Sequence, residues 1–369
     1  MKNRLYFIDI VRAFAILMML QGHFIDTLLD TSYRNLDADI YKTWSFFRGI
    51  TAPIFFTISG LIFSYLLLKS SEKGEQNARL KKGIVRGTYL IAIGYFLRIS
   101  FPNWFSGVVS SSLYAVDVLH CIGMSLIVTV CIFFVCNKKT LLFSIIMLLM
   151  GMFIFVLEPL YRSLDIADIP ILIHNYISKK NGSVFNIIPW YGFTSFGSFI
   201  ATLFYWNIDK KHFKTITISS FICIGFILIL YSSDILLMGY NITKIGVWKD
   251  AANYNYLFSK LGYVLLYFAF FYGLERYLKH PFILRIGKET LSLYVIHFII
   301  LYGSFFDIGL KKIGKTLTPI PVAIGAFLFI LLTIFVSFNY PKAKLIAKNK
   351  SRSILKILRI AGTKKSETY

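Results

Sequence analysis

Long apolar stretches alternate with short polar segments along the whole chain. Each apolar stretch holds about 17 to 22 residues, which as an α-helix is long enough to cross the roughly 30 Å hydrocarbon layer of a bilayer. The pattern therefore predicts an all-α, polytopic membrane protein with about ten transmembrane helices. The predicted spans are 7–28, 50–68, 84–101, 115–135, 140–157, 187–205, 215–232, 256–273, 289–305 and 320–338.

Composition supports a membrane protein and argues against a soluble domain. Hydrophobic residues make up 56% of the 369 positions, and only 16% of the residues are charged. A soluble domain of this length has too little interior to bury so much apolar surface. The four cysteines lie within or at the edge of apolar stretches and lack metal-ligand spacing, which predicts buried free thiols rather than a disulfide framework. They are Cys121, Cys131, Cys136 and Cys223.

The distribution of basic residues predicts the orientation in the membrane. With the N-terminus inside, 26 of the 40 Lys and Arg residues fall on the cytoplasmic side and 12 on the outer side. This bias follows the positive-inside rule and predicts cytoplasmic termini in a multi-pass protein of the cell membrane. The net charge of +22 is spread over short loops and a basic tail, so we expect lipid contact and no nucleic-acid partner. We divide the chain into a membrane domain, 1–340, and a cytoplasmic tail, 341–369.

The first predicted span carries ionisable residues on one face. On a helix that turns about 100° per residue, Asp9, Arg12, His23 and Asp26 fall within about 100° of arc. A charge that faces lipid is costly, so this stripe is expected to face the protein interior or a water-filled cleft. His23 and Asp26 are three residues apart, which allows the carboxylate to orient the imidazole as in a base–orienter relay. The alternative is that Asp9–Arg12 and His23–Asp26 are structural ion pairs.

Two later spans repeat the pattern of an inward-facing histidine. In the fourth span, Asp117 precedes His120 by three residues, and in the ninth span Tyr294 and His297 share a face with Thr290. These histidines are candidates for chemistry, because ionisable side chains at membrane depth are usually functional. The alternatives are that His120 caps or bonds a neighbouring helix and that His297 bonds a backbone carbonyl. A metal site is not expected, because no pair has the i, i+4 spacing of a helical zinc site.

Five segments, in order along the chain, resemble one enzyme family. Residues 7–23, "FIDIVRAFAILMMLQGH", resemble the first helix of the transmembrane acyltransferase superfamily, in which an arginine is followed after ten residues by a histidine, as Arg12 is by His23. Four later segments are similar to the branch containing heparan-α-glucosaminide N-acetyltransferase and its bacterial relatives. They are "FRGITAPIFFTISG" (47–60), "DVLHCIGMSLI" (117–127), "IIPWYGFTSFGSFIA" (187–201) and "IGKETLSLYVIHF" (286–298).

One feature of the heparan branch is missing. The heparan enzyme has no histidine at the position of His23 and takes its working histidine from the loop before the second span. This chain has no histidine between residues 24 and 119. The assignment of catalysis to His23 therefore rests on the wider superfamily pattern.

The resemblance implies an acyltransferase that moves an acyl group, normally acetyl, from cytoplasmic acyl-CoA to a hydroxyl or amino group of a glycan on the far side of the membrane. On this interpretation His23 is the general base or transient acyl carrier and Asp26 orients it, with His120 and His297 as further catalytic candidates. Acetyl-CoA is the expected donor, and no metal is expected.

The resemblance also divides the binding residues between two ends. The candidates for holding the donor are Arg12, Arg79, Lys82 and Arg86, although cytoplasmic loops carry such charges for orientation alone. The candidates for contacting the acceptor are Arg48, Asp117, Trp190, Tyr191 and Tyr294, although the aromatic pair also fits a membrane-interface belt.

The main alternative function is a transporter or flippase of a lipid-linked glycan or a small anionic solute. Such a protein also uses inward-facing charges and long outer loops. The paired Gly- or Pro-broken spans typical of transporters are not evident in the sequence. The sequence leaves the acceptor and the oligomeric state open, a homodimer included.

Overall fold

The computed structural model describes residues 5–72, 74–137, 139–162, 169–179 and 181–340. The regular structure within these ranges is helical, and two isolated β-bridges join Leu29 to Leu317 and Ser100 to Phe305. Short 3₁₀ helices cover Thr31–Tyr33, Ser111–Tyr114 and Leu310–Ile313. The α-helices are α1 (Tyr6–Leu28), α2 (Asp39–Glu72), α3 (Gln76–Phe96), α4 (Phe101–Phe105), α5 (Val118–Val135), α6 (Thr140–Val156), α7 (Glu158–Arg162), α8 (Ile171–Ile177), α9 (Ile187–Asn207), α10 (Phe213–Leu230), α11 (Ser232–Thr243), α12 (Gly246–Asn253), α13 (Leu257–Gly273), α14 (Glu275–Leu278), α15 (Pro281–Lys288), α16 (Thr290–Tyr302) and α17 (Pro319–Tyr340).

Each apolar stretch predicted from the sequence coincides with a helix, and the all-α membrane class is confirmed. Six of the described helices are long and apolar enough to cross a membrane, and the pair α12 and α13, bent by 53°, adds a seventh if it forms one span. Helices α6 and α16 are apolar but shorter. The total of ten spans and the orientation of the termini stay predictions. The basic tail, 341–369, lies outside the described residues.

Helix α2 differs most from its predicted span. The hydropathy pattern predicts 50–68, whereas the helix begins at Asp39 and ends at Glu72. Its N-terminal part mixes polar with aromatic residues and is mostly exposed, and burial begins at Ile50. At about 1.5 Å per residue the whole helix is roughly 50 Å long, which exceeds the hydrocarbon layer. The apolar pattern therefore located only its buried part.

Helix α1 lies at the centre of the helix packing. Its C-terminal part, with Leu20 and Phe24, packs in one apolar cluster with residues of α5, α16 and α17. Its N-terminal part, with Phe7 and Val11, packs in a second cluster with residues of α2, α9 and α13. Because both ends of α1 are enclosed, its polar side chains must find partners within the protein.

A very close helix crossing joins α2 to α9 through two glycines. A Cβ atom at Gly60 would overlap the carbonyl oxygen of Thr194, and a Cβ atom at Gly197 would overlap the carbonyl oxygen of Thr57. Small residues at such positions let helix backbones approach closely, which is how packing stabilises helix pairs in a membrane. This crossing fixes α2 against α9 beside the cavity described below.

The crossing generates a stability prediction. Gly197→Ala is expected to destabilise the protein by about 1–3 kcal/mol, because the added methyl group has no room without moving a backbone. Thermal unfolding of the purified protein in detergent measures the effect. The matched control is Gly246→Ala at the start of α12, where a Cβ atom meets nothing within 4 Å. Equal unfolding temperatures for the two variants would contradict the packing argument.

Candidate active site

Two histidines from distant parts of the sequence face each other inside the bundle. His23 on α1 and His297 on α16 have ring centroids 5.2 Å apart, with the rings tilted by 53°. His297 is fully buried, and neither of its ring nitrogens has a hydrogen-bond partner among the described residues. His23 is partly buried, and its Nδ1 lies 2.7 Å from the hydroxyl of Tyr302 at the end of α16. The prediction that these histidines face inward is confirmed.

The hydroxyl of Tyr294 extends this polar group to a carboxylate. The Tyr294 ring centroid lies 4.9 Å from that of His297, and its hydroxyl donates to Asp117 Oδ2 at 3.1 Å. The same Oδ2 accepts from Arg98 at 3.2 Å, and Oδ1 accepts the backbone N–H of Val118 at 2.7 Å. Asp117 is therefore held by three donors and in turn positions Tyr294. These bonds already occupy both carboxylate oxygens. The expected contact of Asp117 with the acceptor stays a prediction.

His120 has a structural partner in the same region. It is the third residue of α5, and its Nδ1 accepts the backbone N–H of Asp117 at 3.1 Å, which completes a capping box. The imidazole is fully buried against the ring of Tyr95, and a Cβ atom at Gly94 would overlap it. The sequence offered helix capping as an alternative role for His120, and His120 does cap α5. A catalytic role for His120 remains an untested prediction.

A cavity of about 360 Å³ lies beside this polar group, and its wall is mainly apolar. Tyr294 and Val118 line it at the end near Asp117, and Phe63 and Leu126 are among its apolar wall residues. Arg12 also lines the cavity, and its guanidinium donates a hydrogen bond to the hydroxyl of Thr290. The Thr290 face predicted from helical spacing therefore does turn towards the interior.

Basic residues line the cavity as a group. They come from the first turns of α3 and from the end of α15, together with Arg12 from α1. The Nε atom of Arg79 is buried and has no hydrogen-bond partner among the described residues. A buried donor without a partner is costly, so this part of the cavity favours an anionic ligand. The basic lining residues are Arg12, Arg79, Lys82, Arg86 and Lys288.

The expected pairing of Asp26 with His23 is not the arrangement in the structure. The carboxylate of Asp26 forms an ion pair with Arg48 of α2, whose guanidinium also lies 5.7 Å from the ring centroid of Trp44. Nδ1 of His23 instead faces Tyr302. The i, i+3 spacing permitted the contact within α1, but a full positive charge on a neighbouring helix is a stronger partner for a carboxylate. We correct the orienting role assigned to Asp26.

The two aromatic residues expected to stack on a sugar lie in the helix packing. Tyr191 is buried, and its hydroxyl lies 3.3 Å from the hydroxyl of Thr129 on α5. Trp190 stacks on Phe56 with ring centroids 5.3 Å apart. Neither residue lines the cavity that contains Arg12 and Tyr294. The structure contradicts the sugar-stacking role of Tyr191, because core packing already covers its ring.

Sequence reasoning missed two residues of the site. Tyr302 is one of 23 tyrosines and stands at the end of a predicted span, where it resembles an interfacial aromatic. Lys288 lies in a predicted cytoplasmic loop and resembles a charge that sets orientation. The available signal for Tyr302 was its position on the helix that carries Tyr294 and His297, yet helical phase alone does not select it.

These features define a multi-pass membrane protein with a mainly apolar cavity that carries five basic side chains and, at Tyr294, adjoins a buried histidine site. The chain belongs to the family described as "Heparan-alpha-glucosaminide N-acetyltransferase, catalytic", whose sequence profile matches residues 4–245, about two thirds of the chain. Membership confirms the resemblance seen in the sequence and implies a membrane transferase of the acetyltransferase kind. No curated protein matches the chain significantly.

The family match covers only part of the site. It includes Arg12, His23, Asp117 and His120, and it ends before α16. The contribution of α16 to the site therefore rests on the fold. Among the described residues, no group of three or more His, Cys, Asp or Glu is arranged to hold a metal ion. The absence of a metal stays a prediction.

The site generates a prediction about Asp117. Asp117→Ala is expected to destabilise the protein by at least about 2 kcal/mol, because it removes the cap of α5 and leaves Arg98 without its carboxylate. Chemical or thermal unfolding in detergent checks this. Asp234→Ala is the control, since Asp234 is an exposed residue in the first turn of α11. An Asp117→Ala protein as stable as the control would exclude a positioning role for this carboxylate.

Proposed function

We propose that this protein transfers an acetyl group from acetyl-CoA, held in the basic cavity, to a hydroxyl or amino group of a glycan that reaches the histidines from the opposite side of the membrane. One observation supports this most directly. A single cavity is lined by five basic side chains and also by Tyr294, which contacts the ring of His297. An anionic donor bound at the basic residues can therefore extend through one cavity as far as Tyr294, the side chain that contacts His297.

The residues present fit the chemistry of a CoA ester. Arg79, Lys82 and Arg86 on α3 and Lys288 on α15 offer cationic donors for the phosphates. The cavity wall between them and Tyr294 is mainly apolar and suits the thioester arm. The buried, unpaired Nε of Arg79 is the specific observation that favours an anion here. Acetyl-CoA, when bound, supplies the acetyl group.

The dimensions of the helices agree with this assignment. Arg12 and His23 lie eleven positions apart on α1, a rise of about 16 Å. An extended pantetheine arm is on the order of 20 Å, comparable to a peptide of half a dozen residues. The distance from the basic group to the imidazoles is therefore one that a single CoA arm covers.

The histidines account for the proton transfers. His23 accepts the proton of the acceptor hydroxyl or amine as that atom attacks the thioester carbonyl carbon. The carbon–sulfur bond then breaks, and His23 returns the proton to the leaving thiolate. The unpaired nitrogens of His297, 5.2 Å away by ring centroid, provide a further polar contact for the reacting groups. Acceptor and thioester are consumed, and acetylated acceptor and CoA thiol are formed.

The acceptor side is proposed from the predicted topology. The positive-inside pattern puts the basic end of the cavity in the cytoplasm and the His23 end towards the outer surface. The ion pair of Arg48 with Asp26 lies three residues along α1 from His23, beyond the end of the cavity lining. Arg48 is partly exposed, so we propose it as a contact for the glycan.

The first test removes the proposed base. His23→Ala is expected to abolish acetyl transfer because it removes the base, while expression and fold stay largely intact, because Leu20 and Phe24 keep α1 packed in the bundle. The measurement is incorporation of label from radioactive acetyl-CoA into membrane vesicles that contain the protein. His212→Asn is the control, since His212 is exposed and asparagine tolerates its left-handed backbone. Full activity of His23→Ala would refute the catalytic assignment.

The second test addresses donor binding. Arg86→Glu is expected to raise the KM for acetyl-CoA about tenfold with little change in kcat, because it replaces a charged contact worth about 1.5–3 kcal/mol. Steady-state kinetics over a range of acetyl-CoA concentrations measures this. Arg276→Glu is the control, because it reverses an exposed charge on α14 that does not line the cavity. A parallel rise in both variants would indicate an effect of net charge rather than of the cavity.

The transporter alternative makes a different prediction for binding. A glycan transporter is not expected to bind acetyl-CoA more tightly than nucleotides that lack the acetylated pantetheine arm. We expect acetyl-CoA to raise the unfolding temperature of the detergent-purified protein, and expect this rise to shrink in Arg86→Glu. No thermal shift at millimolar acetyl-CoA would favour transport over acyl transfer.

A further inference from the structure

The contact between His23 and Tyr302 holds the imidazole against a hydroxyl group. This tyrosine lies outside the motif of an arginine followed after ten residues by a histidine. The Tyr302 hydroxyl lies 2.7 Å from Nδ1 of His23, and the two rings meet nearly edge to face, at 89°. The pair joins α1 to the last turn of α16, 279 positions apart in the sequence. Such a contact selects one tautomer of the imidazole if the direction of its hydrogen bond is fixed.

Thr27, one turn further along α1, does not compete for the imidazole. Its hydroxyl donates to the backbone carbonyl of His23 at 2.7 Å, so its proton is used within α1. The Tyr302 hydroxyl is left as the partner of Nδ1, and a phenol oxygen can accept the Nδ1 proton as well as donate its own. A base that works through Nε2 requires the form in which Tyr302 accepts.

We infer that Tyr302 is the positioning residue of the site: its hydroxyl accepts the Nδ1 proton of His23 and leaves Nε2 as the basic nitrogen. The contact of Tyr302 with Nδ1 is given by the geometry. The direction of the bond rests on the proposed acetyl transfer, which needs a basic Nε2, and the tautomer is read by the first experiment below. It assigns to a tyrosine on α16 the role that helical spacing assigned to Asp26.

The surroundings of His23 favour Tyr302 over other groups for this role. Asp26, the nearest carboxylate in sequence, is paired with Arg48. Asp117 is occupied by Arg98, Tyr294 and the N–H of Val118. His297 faces the His23 ring but has no hydrogen bond from either nitrogen. Tyr302 is therefore the side chain that holds a ring nitrogen of His23 among the described residues.

The tautomer matters for the proposed reaction because a neutral imidazole has one basic nitrogen. With the proton on Nδ1, Nε2 takes the proton of the acceptor and later gives it to the leaving thiolate. With the proton on Nε2, the basic nitrogen would point at Tyr302 and away from the acceptor. A neutral hydroxyl does this without adding a negative charge to the apolar interior, where a second carboxylate would be costly.

The first experiment reads the tautomer directly. The protein contains six histidines, so labelling with ¹³C,¹⁵N-histidine gives few signals, and the His23 signal is the one absent from His23→Gln. Solid-state ¹³C–¹⁵N correlation spectra of the full chain in lipid vesicles at pH 8 then report which nitrogen carries the proton. We expect Nδ1–H in the wild type and a shift towards Nε2–H in Tyr302→Phe.

Two further variants make the experiment specific. Asp26→Asn is expected to leave the His23 tautomer unchanged, because Asp26 pairs with Arg48. Tyr267→Phe is the matched control, since Tyr267 is a partly buried tyrosine of α13 that packs on Phe271 and does not line the cavity. An Nε2–H signal in the wild type, or a tautomer that responds to Asp26→Asn and not to Tyr302→Phe, would overturn the inference.

The second experiment measures the consequence for the rate. With acetyl-CoA as donor and glucosamine as the acceptor probe, Tyr302→Phe is expected to lower kcat for release of free CoA roughly tenfold, with the KM for acetyl-CoA within twofold of wild type. Liquid chromatography of CoA avoids interference from the protein thiols. Unfolding temperatures of Tyr302→Phe and Tyr267→Phe show whether both variants fold.

The two experiments separate failure of the inference from failure of the proposed function. If the wild type releases no CoA but shows the Nδ1–H tautomer, acetyl transfer is wrong and the positioning contact stands. If the wild type is active and Tyr302→Phe is equally active with an unchanged tautomer, the positioning role is wrong and the transferase assignment stands.

Discussion

The carboxylate of Asp117 is the group on which the arrangement of the site depends. A charge at membrane depth persists only where donors surround it, and Asp117 takes them from Arg98, from the N-terminus of α5 and from Tyr294 of α16. These three bonds tie the segment after α3, the start of α5 and the middle of α16 to one point. They fix the side of α16 that turns inward, and His297 and Tyr302 follow on the same helix. The contact of Tyr302 with His23 then fixes α1 as well.

Local spacing predicted the helices and the inward face of α1, because helical phase depends only on the residues of one segment. It gave Arg12 and His23 correctly as interior groups. It failed for Asp26, since the i, i+3 spacing says nothing of Arg48, which α2 brings to the same place. It also failed for Tyr191, whose neighbours on α5 and α6 come from other parts of the chain. The pairing of His23 with Tyr302 crosses nearly the whole sequence, so no local pattern contains it.

The cations that line the cavity are set apart from the imidazoles. The guanidinium and ammonium groups suit phosphates, whereas the imidazoles of His23 and His297 lie beyond the Tyr294 end of the cavity lining, beside tyrosine hydroxyls. The nearer arginines, Arg48 and Arg98, are each paired with a carboxylate. In the proposed reaction this separation lets one end bind a polyanion without suppressing the basicity needed at the other.

Helix α16 has 13 residues and rises only about 20 Å, which is less than the thickness of a hydrocarbon layer. The chain continues beyond Tyr302 as irregular backbone, where Phe305 bonds to Ile99 and Phe101, and Leu317 bonds to Leu28 and Asp30. Non-helical backbone at that depth is tolerated only inside protein or beside water. Around the last turn of α16 these backbone bonds join the segment after Tyr302 to the end of α1 and to the segment after α3. A hydrophilic molecule that reached His23 from this end would meet peptide groups as well as apolar side chains.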